Sequence, residues 1–174
     1  VGFCIVFDLL CSPVVYMLDL MGVPYYADHR GEAYPPIVAG GPCVVNPMPF
    51  APFFDAVLIG EGEKNLKELT LLHIQCREGK VSKAEFLQRA SKLDGVYVPS
   101  LNNRTKRAVV KDLDKAYYPT KVLVPNCDIV HDRSSIELFR GCANGCRFCQ
   151  AGFYYRPIRE RSVDTLVRQA CELM

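Results

Sequence analysis

R-G-C-A-N-G-C-R-F-C-Q-A-G, residues Arg140–Gly152, is the stretch on which the reading of this chain turns. Cys142, Cys146 and Cys149 stand at C-x3-C-x2-C. A turn with this spacing lets three thiolates point at one soft metal centre. Closed zinc sites and most iron–sulfur clusters take four protein ligands, and the loop supplies three. Two arrangements answer the shortfall. A distant fourth ligand could come from Cys127 in a proline-asparagine loop, from Cys171 on the last helix, or from His131. Alternatively the fourth position is open, where a small molecule binds and reacts, as an open zinc position takes water.

The chain has nine cysteines, an odd number unevenly spread, behind no secretory signal and without an apolar run long enough to span a membrane. That pattern favours reduced cytoplasmic thiols, some of them metal ligands, over a disulfide framework. Cys4, Cys11, Cys43, Cys76 and Cys171 are expected to be small buried hydrophobes, with Cys43, just after Gly40-Gly41, the one that stands out. Apolar residues make up 49%, enough for a core, and a net charge of +2 says nothing about a polyanionic partner. The chain begins inside V-G-F-C-I-V-F and ends at Met174 within an unfinished amphipathic pattern, so it reads as a piece of a longer protein.

Outward from the loop, Ser135–Phe139 is expected to be a strand, Tyr154–Arg161 a polar loop, and Ser162 the cap of a helix with Val163, Leu166, Val167 and Ala170 on its apolar side. Glu137 is expected to partner an arginine. Toward the N-terminus, Val1–Phe7 reads as a central parallel strand buried on both faces. Ser12-Pro13 reads as the start of a helix ended by Gly22, and Val23–Tyr26 as a further strand. Ile37–Ala39 and Asp55–Ile59 are strands followed by Gly40-Gly41 and by Gly60-Glu61-Gly62. Helices are expected through Leu66, Leu69, Leu72 and Cys76 to Gly79, and over Ser82–Leu93. Strand alternating with helix indicates an α/β fold with an open parallel sheet. The short extended pieces V-Y-V, A-V-V-K-D-L and K-V-L-V place a linker at 95–130, between an α/β domain at 1–94 and a last segment at 131–174. Arg104, Lys106 and Arg107 read as a solvated surface. Gly40, Gly41, Gly60 and Gly62 are turn glycines or line a cofactor cleft at the carboxyl ends of the strands.

C-x3-C-x2-C with Phe148 before its last cysteine resembles the radical S-adenosylmethionine (SAM) superfamily. The longer run, with R-P-I-R-E-R-S after it, resembles a subgroup carrying an N-terminal cobalamin-binding-like domain. I-V-A-G-G-P and D-A-V-L-I-G-E-G-E-K-N-L-K-E-L are similar to the C-terminal half of that Rossmann-like domain. The resemblance implies a truncated Rossmann-like domain followed by the first βα unit of a partial (βα)6 barrel, similar to a TIM barrel. It implies that Cys142, Cys146 and Cys149 hold three irons of a [4Fe–4S] cluster and that the fourth iron chelates SAM. Reductive cleavage then gives a 5′-deoxyadenosyl radical, with Phe148 beside the cluster near the adenine. An external donor of flavodoxin or ferredoxin type would supply the electron. The substrate is open, with RNA or protein among the candidates.

The sequence departs from the family in two places. Asp28-His29-Arg30-Gly31 does not match D-x-H-x-x-G, so cobalamin is possible in three ways that stay open: a motif before Val1, binding without a histidine ligand, or a domain of this type that binds none. The glycine-rich segment that contacts the methionyl group is not Gly60-Glu61-Gly62-Glu63, and is expected beyond Met174. The rivals from other classes are a Rossmann-like module with a structural zinc loop, and a four-cysteine electron-transfer protein.

Overall fold

The structure, a computed structural model, describes residues 1–121, 125–130 and 133–173. Two compact units make up the chain, Val1–Val109 and Val110–Met174. The strand expected at K-V-L-V and the candidate ligand His131 lie outside the described residues.

The first unit is an α/β sheet of four strands in the order β1 (Gly2–Cys4), β2 (Val38–Gly40), β3 (Ala56–Leu58), β4 (Val96–Tyr97). β1, β2 and β3 run parallel, and β4 is antiparallel to β3. This mixed sheet is compatible with a Rossmann-like arrangement. Helix α1 (Cys11–Leu20) crosses from β1 toward β2, and α2 (Gly62–Glu78) and α3 (Lys83–Ala90) connect β3 to β4. β3 shows the period of two that a strand between two layers requires. Val57 faces a core with Ile5, Leu18, Ile37 and Phe54, whereas Ala56 and Leu58 face a second core with Leu69, Phe86, Ala90 and Val98. Each large apolar side chain so buried contributes roughly 1.5–3 kcal/mol.

Several local expectations hold. Gly22 follows α1 with φ +64°, Gly79 follows α2, and Ser82 caps α3 by accepting the Glu85 amide at 3.2 Å. Others are corrected. Among the described residues β1 has only β2 beside it and its ends are exposed, while the doubly covered position belongs to β3. Ser12 and Pro13 lie inside α1, which grows from a 3-10 turn over Asp8–Leu10 without a side-chain cap. Val23–Tyr26 forms no strand. Its carbonyls at Pro24 and Tyr25 instead accept the buried Arg30 guanidinium at 2.9 Å each. Val96–Tyr97, at the head of the expected linker, is a sheet strand. Asn103 fixes its exit, accepting the Val98 amide at 2.7 Å and donating to the Ser91 and Val96 carbonyls at 3.0 Å.

Beneath this sheet lies a buried charge cluster. Asp55 accepts Arg30 Nη2 at 3.1 Å, Lys83 Nζ at 2.8 Å and the Ile37 amide at 2.7 Å. It ties the chain before β2 and the start of α3 to the head of β3.

The second unit has a two-stranded antiparallel ladder, β5 (Phe139–Arg140) with β6 (Arg159–Glu160), and two helices, α4 (Ala151–Tyr154) and α5 (Val163–Leu173). β5 is shorter than the expected 135–139 strand, and part of the expected Tyr154–Arg161 loop forms β6. Ser162 does cap α5, its hydroxyl accepting the Thr165 amide at 3.3 Å. The buried face of α5 agrees with the expectation in part. Leu166 and Ala170 are half-buried, but Thr165 and Gln169 are the buried positions, while Val163 and Val167 are exposed. The Ser162 amide is held by Asp114 at 2.8 Å, just before the first turn of the helix.

Candidate metal centre

The cysteine loop leaves β5 at Gly141 and returns through α4 to β6. Gly141 has φ +102°, and a Cβ there would come within 2.9 Å of the Pro157 carbonyl and Ile158. Only glycine lets the loop start so close to the returning chain. The Cys149 amide donates to the Cys146 carbonyl at 3.1 Å, forming the turn that brings the second and third cysteines round. All three thiols are free. Cys142 and Cys149 are half-buried, and Cys146 is exposed. Phe148 is 93% exposed, so its ring is available to a bound molecule. A shallow hollow of about 520 Å³ opens beside Cys142 and Ala143, walled by Arg156, Pro157 and Ile158.

The donor set fits a thiophilic centre: three soft ligands within one short loop and a hollow beside the first. Their convergence is a separate matter. Among the described residues no group of three or more His, Cys, Asp or Glu side chains is gathered for a metal ion. Closure of the loop would therefore accompany metal binding, as when binding energy orders a site. Of the candidate fourth ligands, Cys127 is exposed. Cys171, expected to pack inward, is also exposed. Cys4 is exposed on the edge strand, while Cys76 is buried as expected. Cys43 donates to the Val6 carbonyl at 3.2 Å. Burial pushes its thiol up, and the charge of Asp8 adds to this, so it is a poor source of thiolate.

Charged side chains frame the loop. Glu137 accepts Arg140 Nε at 2.7 Å and Arg161 Nη2 at 2.9 Å. Arg161 also donates to the Leu113 carbonyl, and Arg159 to the Val110, Pro157 and Tyr155 carbonyls. Arg159 and Arg161, buried, thus brace the second unit. Burial pushes the Glu137 carboxyl up, but the Arg140 and Arg161 guanidiniums together outweigh it and hold it below the usual range. A depressed folded pKa stabilises above the unfolded value of about 4.3 and is lost as pH falls through the folded one. Glu137→Gln should therefore lower the thermal midpoint of this unit near neutrality. The gap to wild type should close as pH drops below about 4, and a gap that persisted in acid would place the effect in packing.

Gly40, Gly41, Gly60 and Gly62 all border one hollow of about 580 Å³ in the first unit, over the exposed face of β1 and β2 and along α2. At Gly41 and Gly60 a close backbone approach accounts for the glycine without a ligand. Each has φ above +100°, and a Cβ would collide with the backbone of Ile5 or of Ala108. His73 also borders this hollow, its imidazole pushed down by burial. His29 lies instead beside Asp28 on the surface, 66% exposed. No helix among the described residues is long and apolar enough to cross a membrane.

A family described as the N-terminal region of radical SAM proteins matches residues 1–99. The chain belongs to the radical SAM proteins. The match covers the α/β unit through β4, so membership rests on a part of the chain separate from the Cys142–Cys149 loop. This radical SAM chain is also 32% identical, over 145 residues, to the uncharacterized protein MJ0966 of Methanocaldococcus jannaschii. The aligned part is 78% of this chain and 28% of that relative, so the chain spans little more than a quarter of the relative's length.

Proposed function

We propose that this chain carries the cluster loop of a radical SAM enzyme, with Cys142, Cys146 and Cys149 as thiolate ligands to three irons of a [4Fe–4S] cluster. The observation that carries the reading is the conjunction of three free thiols at C-x3-C-x2-C with a family match in a different part of the chain. Three ligands from one loop leave the fourth iron for SAM, with exposed Phe148 as the surface for its adenine. When bound, the cluster supplies the electron that cleaves SAM to methionine and a 5′-deoxyadenosyl radical. The protein's own part is to place the thiolates, shield them and hold the cosubstrate. Arg159, Arg161 and Glu137 do the bracing: they fix the two strands from which the loop springs.

In this reading the β5–loop–α5 segment is the first unit of the partial (βα)6 barrel, and the four-stranded unit precedes it. A flavodoxin- or ferredoxin-type electron donor and a cytoplasmic setting belong to the same proposal, with the substrate left open and RNA or protein among the candidates. Cobalamin is left out of the reading, since backbone packing accounts for Gly41 and Gly60 without it.

Anaerobic reconstitution with iron and sulfide, followed by EPR of the reduced protein with and without SAM, tests the proposal. A [4Fe–4S] signal that changes on adding SAM is expected, because an open iron can take the amino and carboxylate groups. A signal indifferent to SAM and lost in Cys127→Ala would indicate a four-cysteine electron carrier. Tight zinc without iron would indicate a structural loop.

A further inference from the structure

We propose that the outer face of α1 is an interface between two copies of this chain. The proposal stands apart from the cluster assignment, because it rests on residues of the first unit alone.

α1 is apolar on both sides. Its inner side joins the core, with Val14 and Leu18 buried. On its outer side Pro13, Tyr16 and Leu20 follow at helical spacing. Leu9 continues the line in the 3-10 turn before the helix, and Met17 and Met21 flank it. Pro13 is exposed, and the other five are between 44% and 80% exposed. A helix that is apolar all round belongs in an interior, and a contiguous exposed apolar patch marks a contact surface.

Charge and area choose the occupant. Residues 1–29 contain no Lys or Arg, only Asp8, Asp19 and Asp28. A helix that lies on an anionic membrane carries Lys and Arg beside its apolar face, and an acidic partner also needs cations. This stretch offers neither of them a side-chain cation. The stripe itself holds no charge, so two copies can meet on it without like-charge repulsion. Asp19, the charged residue of α1, accepts the Tyr25 hydroxyl at 2.7 Å. A whole aromatic side chain presents about 150–250 Å² and an aliphatic one less, so at these exposures the stripe leaves on the order of 500–600 Å² open. Two copies would then bury on the order of 1,000–1,200 Å², at the threshold of a specific contact and below the standard size of about 1,600 Å². A two-fold axis across the helix sets the same patch on both sides and closes the assembly at two. An interface of this size makes a weak, reversible dimer.

The test is analytical ultracentrifugation of the chain over a range of concentrations, with reductant present so that none of the nine free thiols cross-links two copies. A monomer–dimer equilibrium with Kd of roughly 1–100 µM is expected for a contact of this size. Leu20→Glu sets like charges into the contact and should weaken it at least about tenfold. Its far-ultraviolet circular dichroism should stay that of wild type, because Leu20 is exposed. Tyr16→Glu, at the middle of the stripe, should do the same and serves if Leu20→Glu alters the fold. Leu66→Glu, at an exposed apolar position on α2, should leave the dimer intact. Raising salt to about 1 M should not loosen it, since an apolar contact is not screened. A chain that stays monomeric up to about 300 µM overturns the proposal, since it would lie beyond that Kd range. So does a dimer that Leu20→Glu and Tyr16→Glu leave intact, or one that Leu66→Glu dissolves equally. A monomer that instead floats with vesicles of phosphatidylcholine and phosphatidylserine would give the face to a lipid surface, and overturns it as well.

Discussion

Cys146→Ala is expected to leave the protein folded and unable to hold the proposed cluster. Cys146 is exposed, makes no core contact and sits in a surface turn, so its removal takes away little packing. What it takes away is one of three thiolates. Changes even to the outer shell of a metal site typically cost roughly 10–100-fold in affinity, and loss of a direct ligand costs at least that. Iron bound after reconstitution and desalting should fall at least tenfold on that scale, with far-ultraviolet circular dichroism and the thermal midpoint unchanged. Cys142→Ala and Cys149→Ala should lose iron equally, whereas Cys127→Ala and Cys171→Ala should keep it. A Cys146→Ala protein that still held its iron would remove the loop from the assignment, whatever the family of the chain.

The cysteine loop was legible because chemistry writes it locally: three thiols, their spacing and three glycines sit within thirteen residues. The alternation of strand and helix was legible for a similar reason, since β2, β3 and α3 each announce themselves through a short apolar run or a cap. What sequence alone missed depends on partners distant in the chain. V-G-F-C-I-V-F looks like a central strand, yet whether a strand is central is decided by its neighbours, and β1 has only β2 beside it among the described residues. The stripe of α5 predicts Val163 and Val167 on the buried side with Leu166 and Ala170, yet Thr165 and Gln169 take the buried positions and the two valines are exposed. Val23–Tyr26 has the composition of a strand, and its carbonyls were claimed by Arg30.

The largest stability effect is expected at Asp55. Its carboxylate is 3% exposed and faces two cations, Arg30 with none of its side chain exposed and Lys83 with 9%. Attraction between buried opposite charges barely offsets their desolvation, so such a cluster is weak evidence of net stabilisation as it stands. Removing one partner is different, because the opposite charge stays buried without compensation, at a cost of about 3–5 kcal/mol. Here a single anion answers two cations, so Asp55→Ala strips both at once and also leaves the Ile37 amide without its acceptor. Arg30 keeps the Pro24, Tyr25 and Phe53 carbonyls, which solvate the guanidinium in part and hold the cost within that range rather than above it. Lys83→Met should be far milder, since it removes a buried charge while Arg30 still pairs with Asp55. Urea unfolding of the three proteins separates the cases. A loss of about 3–5 kcal/mol for Asp55→Ala beside less than about 1.5 kcal/mol for Lys83→Met is the expected pattern. Equal losses would mean that Lys83, not Arg30, is the partner that holds α3 to the head of β3.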